Sequence, residues 1–223
     1  MKKIFVLSKE NIALARAEVL AITKSKTCEL TGNLLIVDSD LSDVHSRLAY
    51  THKIYRFLFK SRRKEFEEVV KEYDWYSVYR DNFCVRAHNA SQATEKRLAG
   101  LIYRKLKNPI VQLKNSRTRI DFFFIDDSII CGLLLNYVDK SFLKRKPRMR
   151  PSMHPTTMDS RLAKACVNMS GLTKGIILDP FCWSGGILFE AGFMGFEIIG
   201  YDLDENQLKR AEKNLEFYNL RNY

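Results

Sequence analysis

The residues of this sequence best suited to chemistry lie in one run, Ile177-Leu178-Asp179-Pro180-Phe181-Cys182-Trp183-Ser184-Gly185-Gly186-Ile187-Leu188. An apolar stretch leads into the run and a helical pattern leads out, so it spans the turn from a strand into a helix. Gly185 and Gly186 let the backbone come close to a ligand. Asp179, at the end of the strand, can accept a hydrogen bond from an ammonium group. A second strand pattern ends at Tyr201-Asp202, where a carboxylate can accept from both hydroxyls of a ribose. Alone, a glycine pair is a tight turn and Asp202 an ordinary strand-end acid; the strand–helix–strand frame joins them into a candidate site. The run has neither GxGxxG nor the Walker lysine, which disfavours dinucleotides and nucleoside triphosphates. An adenosyl ligand without a pyrophosphate fits better.

The elements that must position these residues follow from periodicity. Asp159 to Met169 predicts an amphipathic helix with Leu162, Ala163, Cys166 and Val167 inward. Residues 175–178 and 197–201 predict buried strands, and helices start at Gly185 and Glu205. This is the opening of a doubly wound α/β domain. Upstream the pattern is α+β. Strands are predicted at 3–7, 27–30, 33–38 and 50–60, with a turn at Gly32-Asn33, and helices at 11–22 and 41–49. A second unit follows, with a helix at 65–71, a strand at 83–87, a helix capped by Ser91 running to Leu106, and strands at 118–125 and 129–137 around Asp126-Asp127. The predicted organisation is therefore 1–60, 61–140, a basic linker at 141–152, and a partial α/β domain at 153–223.

Charge separates these parts. The 223 residues carry a net charge of +11. Residues 1–150 hold 30 basic and 17 acidic side chains, whereas 151–223 hold 7 and 9. Lys140, Lys144, Arg145, Lys146, Arg148 and Arg150 gather in eleven residues without an acid, and Pro147 and Pro151 predict an extended linker there. A phosphate backbone is the natural counterpart for such a cluster. No stretch approaches the ~18 apolar residues of a membrane span. The apolar run after Met1-Lys2-Lys3 is too short for a signal peptide. Five cysteines without a CxxC pair argue against a disulfide framework or structural zinc and for a reducing cytoplasm.

The run Asp179-Pro180-Phe181-Cys182-x-x-Gly185-Gly186-Ile187-Leu188-x-Glu190-Ala191-Gly192 resembles the S-adenosylmethionine motif of tRNA guanine-N2 methyltransferases that carry a THUMP domain. The stretch from His154 to Asn168, which resembles the family's helix before that motif, Gly200-Tyr201-Asp202-Leu203-Asp204 and Ala211-Glu212-Lys213-Asn214-Leu215 are similar to the same family, and the first 145 residues resemble its ferredoxin-like and THUMP domains more diffusely. The resemblance implies that Asp179 holds the methionine moiety, that the 180–186 run, including Pro180, Phe181 and Cys182, passes beside the cofactor, that Asp202 binds the ribose, and that Leu203 packs on the adenine. His154, Pro155 and Thr157 would close over the methionine end. Methyl transfer to the exocyclic N2 of a tRNA guanine, typically at position 10, is the implied reaction. Arg86, Arg97, Arg104 and Lys105 join the linker cations as candidate tRNA contacts.

Two departures stand out. Trp183-Ser184 occupies the place of the family's Gly-Thr, so the indole is expected to turn away from the cofactor or to displace the loop. The family's catalytic Asp-Pro-Pro-Tyr-type motif has no counterpart, since 203–223 contains no proline. The expectation is a split enzyme. A complementary half on a separate chain supplies the catalytic group, the isolated chain is inactive, and apolar surface on the strands and around Leu208 and Leu215 stays exposed. The competing readings are a non-enzymatic tRNA-binding protein with a decayed methyltransferase remnant, the amino-terminal fragment of one longer enzyme with the same chemistry, and part of an rRNA guanine-N2 methyltransferase.

Overall fold

The computed structural model describes residues 1–154 and 156–220, which divide into two compact units. The first comprises Met1–Val6, Cys28–Asp38 and Lys53–Asn136. Its strands are β1 (Lys2–Leu7), β2 (Cys28–Thr31), β3 (Leu34–Asp38), β4 (Thr51–Arg62), β5 (Asn82–His88), β6 (Ile110–Val111), β7 (Thr118–Ile125) and β8 (Ser128–Tyr137). They form one mixed sheet in the order β2-β3-β1-β4-β8-β7-β5-β6. β1 and β2 both run antiparallel to β3, β7 and β8 form an antiparallel hairpin, and β5 is parallel to both β6 and β7. Helix α3 (Phe66–Glu72) and helix α4 (Gln92–Lys105) cover one face. Ser91 caps α4 by accepting the Thr94 N–H at 3.2 Å, as its sequence position predicts. Trp75, Phe83, Phe122, Leu98 and Ile102 fill the core beneath these helices, and the Trp75 indole donates to the Val70 carbonyl.

The opposite face carries its own core of Ile4, Leu34, Ile36, Tyr55, Phe123 and Ile130. The sheet achieves this burial by curling: Glu29 on β2 pairs with Lys60 on β4, two strands beyond its neighbour. Gly132 is required at the tightest point. A Cβ there would lie 2.8 Å from Ile4 Cδ1 and 2.9 Å from Tyr55 Cβ, closer than carbon atoms can pack. On this same face Asp121 is fully buried. Its carboxylate accepts from Tyr55 Oη and Arg119 Nε and is bound to His88 Nε2, each at 2.8 Å, while His88 stacks on the Phe123 ring. Burial alone would raise the Asp121 pKa. The His88, Arg119 and Tyr55 hydrogen bonds and the Arg119 charge outweigh it and bring the pKa down to about 2.

The second unit comprises Leu7–Thr27, Ser39–His52 and Tyr137–Tyr223, described to Leu220. It contains helices α1 (Ile12–Thr23), α2 (Val44–Arg47), α5 (Ser160–Met169), α6 (Gly186–Phe193) and α7 (Glu205–Phe217), with strands β9 (Ile176–Asp179) and β10 (Glu197–Gly200). β9 and β10 are parallel neighbours, so β9-α6-β10-α7 is the α/β opening predicted from the sequence. Ile177 and Ile198 are buried against Val167, Leu188, Phe189 and Leu215. α1 packs on α5 around Glu18, whose buried carboxylate accepts from the Ala49 and Tyr50 N–H groups and from Asn168 Nδ2.

Four expectations are corrected here. The helix predicted over 41–49 shrinks to α2, because the Ala49 and Tyr50 N–H groups go to Glu18 instead of to helix carbonyls. Leu162 is exposed, and the inward face of α5 carries Lys164 and Asn168, which reach the Ser46 carbonyl and Glu18. The basic segment forms two 3₁₀ turns, Ser141–Arg145 and Pro147–Met149, with Pro147 starting the second turn, where its missing N–H costs nothing. Strands β9 and β10 are buried on one face only: Ile176, Leu178 and Ile199 on the other are exposed, whereas Leu215 is buried and Leu208 packs against the core.

The lowered Asp121 pKa sets a pH dependence. Its stabilising effect is fully present above the unfolded-state value of 3.8 and is lost as pH falls through about 2. Thermal melts should show an acid-linked loss over that range in the wild type. Asp121→Asn should melt lower at neutral pH and lack this component; a wild-type acid profile in the variant would refute the assignment.

Candidate functional site

The loop after β9 is fixed to the end of β10 by its own backbone. Cys182 N–H donates to the Tyr201 carbonyl, and Trp183 N–H donates to Asp202 Oδ2, both at 2.9 Å. Asp202 Oδ1 accepts the Asp204 N–H at 3.0 Å, and Asp204 in turn caps α7 through the Asn206 N–H. Gly185 turns the chain into α6 at φ +83, and a Cβ there would sit 3.2 Å from the Ala211 Cβ. Trp183 adopts φ +49, a left-handed conformation that costs an L-residue roughly 1–2 kcal/mol. Strain of this kind concentrates at functional sites.

The loop forms one wall of a cleft of about 250 Å³. Asp179, Phe181, Cys182, Trp183, Ser184, Gly186 and Ile187 line one side, and Thr156, Thr157 and Met158 the other. Thr157 and Ser184 join the two sides through their hydroxyls at 2.8 Å, and the His154 ring meets the Trp183 indole edge-on at 5.1 Å. The Trp183 side chain thus takes part in the wall of the cleft. Asp179 Oδ1 accepts the Phe181 N–H, and the carboxylate stands at the cleft beside the first turn of α6, whose N–H groups have no intrahelical partners. Burial, with the negative charges of Asp179 and Asp202, pushes the Cys182 thiol up to about 11, so it stays protonated and is no thiolate nucleophile.

The cleft therefore gathers Asp179, Phe181, Cys182, Gly186 and Thr157 from the residues singled out in the sequence. Gly185 shapes it from behind, and His154 flanks it through Trp183. Pro180 is exposed on the loop and Pro155 lies outside the described residues. Asp202 lies at the neighbouring strand end and already holds two backbone N–H groups. Leu203 is wholly exposed and Phe181 is 80% exposed, so both present apolar surface to solvent at this end of the sheet. The donor set suits an adenosyl sulfonium ligand: a carboxylate for an ammonium, hydroxyls at Thr157 and Ser184, and a strand-end acid for a ribose.

The candidate cations divide. Arg145 forms a two-pronged ion pair with buried Glu190 at 2.7 and 3.1 Å and lies over the Phe193 ring. Arg150 is buried over Phe189 and donates to the Arg145 carbonyl and to Ser160 Oγ. Both guanidinium groups are committed inside the second unit, which corrects their reading as phosphate contacts. Lys140, Lys144 and Arg148 are exposed, and Lys146 is half-buried. In the first unit Arg86 pairs with Glu95 and Arg97 with Glu67, while Arg104 and Lys105 are exposed. Sequence reasoning passed over Lys107, Lys114 and Arg117, exposed around β6 beside Ile110, Val111 and Leu113; residues 96–120 contain eight cations and no acid. That acid-free run was the available signal.

Comparison with known proteins gives this arrangement its class. The UPF0020 family model, an RMKL-like methyltransferase domain, matches residues 147–222. TrmN from Thermus thermophilus shares the fold, with a TM-score of 0.57 at 18% identity over 99% of this chain and 71% of its own. Residues 147–222, most of the second unit, thus match a methyltransferase domain. The tRNA (guanine(10)-N2)-dimethyltransferase of Methanothermobacter thermautotrophicus is 30% identical over all of this chain and 70% of its own length, and that of Pyrococcus abyssi is 29% identical over 95% and 66%. The chain belongs to the tRNA guanine-N2 methyltransferase family, and it spans about two thirds of the length of these relatives.

Gly185→Ala tests the turn that shapes the cleft. The left-handed φ and the approach to Ala211 should together cost at least about 1–2 kcal/mol, read as a lower midpoint in thermal unfolding. An unchanged midpoint would mean that the turn tolerates a side chain.

Proposed function

We propose that this chain binds tRNA and S-adenosylmethionine and serves methyl transfer to the N2 amine of a guanine, with guanosine 10 as the target. The observation that carries the reading is the Asp179 carboxylate at the β9–α6 crevice, facing a cleft closed by Thr157 and Ser184. Bound there, S-adenosylmethionine supplies an electrophilic methyl group. Asp179 holds its ammonium, and Asp202 uses its remaining lone pairs for the ribose. Leu203 offers an apolar surface to the adenine, and His154 and Thr157 keep water from the methionine end.

A guanine amine is a weak nucleophile, and its orientation calls for a hydrogen-bond acceptor and an aromatic wall. In our reading, further strands of the α/β domain supply them and cover Ile176, Leu178 and Ile199, either in continuation of this chain or from a separate complementary polypeptide. The exposed face of the β9–β10 pair supports this, because parallel strands are ordinarily covered on both faces. In this reading the ferredoxin-like part, 1–60, and the THUMP part, 61–140, each give strands to the curled sheet, and Arg104, Lys105, Lys107 and Lys114 meet tRNA. The reaction belongs in the cytoplasm. Among the described residues no helix is long and apolar enough to cross a membrane.

Calorimetry tests the cofactor site: Asp179→Ala should weaken S-adenosylmethionine binding by at least about tenfold, the loss of one charge-assisted hydrogen bond. Equal affinity would remove Asp179 from the site. Labelled methyl transfer to tRNA, by the chain alone and with the remaining half of the domain, tests the reaction. Label at guanine N2 only in the second case supports the divided domain, turnover by the chain alone refutes it, and label only in rRNA moves the substrate.

The cations give a separate expectation. Replacing Lys144, Lys146 and Arg148 with Ala should flatten the salt dependence of tRNA binding by roughly one log–log unit per lost phosphate contact. Arg145→Ala should instead lower the melting temperature, by about 3–5 kcal/mol of stability, because it leaves Glu190 buried without its ion-pair partner. An Arg145→Ala chain of unchanged stability would return that side chain to the tRNA surface.

A further inference from the structure

The two walls of the cleft come from separate segments, a strap described at residues 152–154 and 156–158 and the 180–186 loop, and nothing in their covalent path fixes their spacing. Asn214, on α7, is fully buried between them. Its Oδ1 accepts the Ser152 N–H at 2.9 Å, and its Nδ2 donates to the Ser152 carbonyl at 2.9 Å and to the Ser184 carbonyl at 3.4 Å. The side-chain amide thus pairs with the Ser152 backbone as a neighbouring strand would, and spends its second proton on the loop. Ser184 is the residue whose hydroxyl meets Thr157 at the far end of the strap. We propose that Asn214 is a positioning residue that holds the strap and the loop in register and thereby sets the affinity of the cleft for its adenosyl ligand. The affinity clause rests on the cofactor reading above; the register clause does not.

The chemistry of the amide is specific. Asp has the same shape but no proton for either carbonyl, so two backbone oxygens would face a carboxylate. Ala leaves the Ser152 N–H and both carbonyls without the partner, and a buried polar group without a partner is costly. A role in packing alone would be served by any side chain of this size. A role in register needs a donor and an acceptor together.

Asn214→Asp and Asn214→Ala should be compared, in the full chain, with Val167→Ala, which opens a cavity in the apolar core without itself lining the cleft or bonding to either wall, and gives a reference loss of melting temperature. Amide hydrogen exchange should accelerate at Ser152, Met153, Thr156 and Thr157 and also at Trp183 to Gly186 in both Asn214 variants, and in neither wall of the Val167 variant. S-adenosylmethionine affinity by calorimetry should fall about tenfold more in the Asn214 variants than in Val167→Ala. Exchange that rises no more in the walls of the Asn214 variants than in Val167→Ala overturns the proposal, as does equal cofactor affinity across the three. A wild-type chain that binds no S-adenosylmethionine overturns the cofactor reading and the affinity clause with it, while the exchange data still decide the register.

Discussion

Two backbone N–H groups, those of Cys182 and Trp183, attach the loop after β9 to the end of β10, and the candidate site depends on that attachment. Without it the loop has no fixed height above the sheet, and neither the Asp179 carboxylate nor the first turn of α6 has a defined ligand to face. The attachment also gives Asp202 two roles. Its oxygens hold the loop and the start of α7, and whatever they offer a ribose is offered from an already anchored position. Such anchoring lowers the entropy lost when a ligand arrives.

The basic segment shows how burial redistributes charge that looks uniform in sequence. Arg145 and Arg150 carry the same formal charge as their neighbours, yet each lies on a phenylalanine of α6 and one is neutralised by Glu190. Arginine suits such positions because its planar group stacks and bonds at once. The lysines and Arg148 keep their charge nearer solvent. Net charge therefore overstates what this segment can present to a phosphate backbone.

The order β9-α6-β10-α7 was legible because each element is short, apolar on one side and bounded by Gly or Asp, and the Asp179 and Gly185-Gly186 turn followed from it. The bounds fall within a residue or two of the patterns. Three of the misreadings, at 41–49, on α5 and at Arg145 with Arg150, share one cause: polar side chains taking buried positions through distant partners. Lys164 and Asn168 occupy the inward face of α5 because Ser46 and Glu18 await them, and Arg145 folds inward because Glu190 stands 45 residues away. The curl of the large sheet was hidden as well, since Gly132 reveals its purpose only when Ile4 and Tyr55 lie over it. In the sequence Asn214 stands out only as part of the Ala211–Leu215 motif, and its partners Ser152 and Ser184 are apparent only in the folded chain.

The chain has two tryptophans, one in each unit, and their surroundings are opposite. Trp75 is sealed in the core of the first unit, with its indole N–H bound to a carbonyl, while Trp183 stands 38% exposed at the cleft of the second. Their fluorescence is consequently two signals that can be separated without labels. A small quencher reaches Trp183 and leaves Trp75 dark to it, so emission that responds to quencher reports the cleft and the protected remainder reports the integrity of the curled sheet.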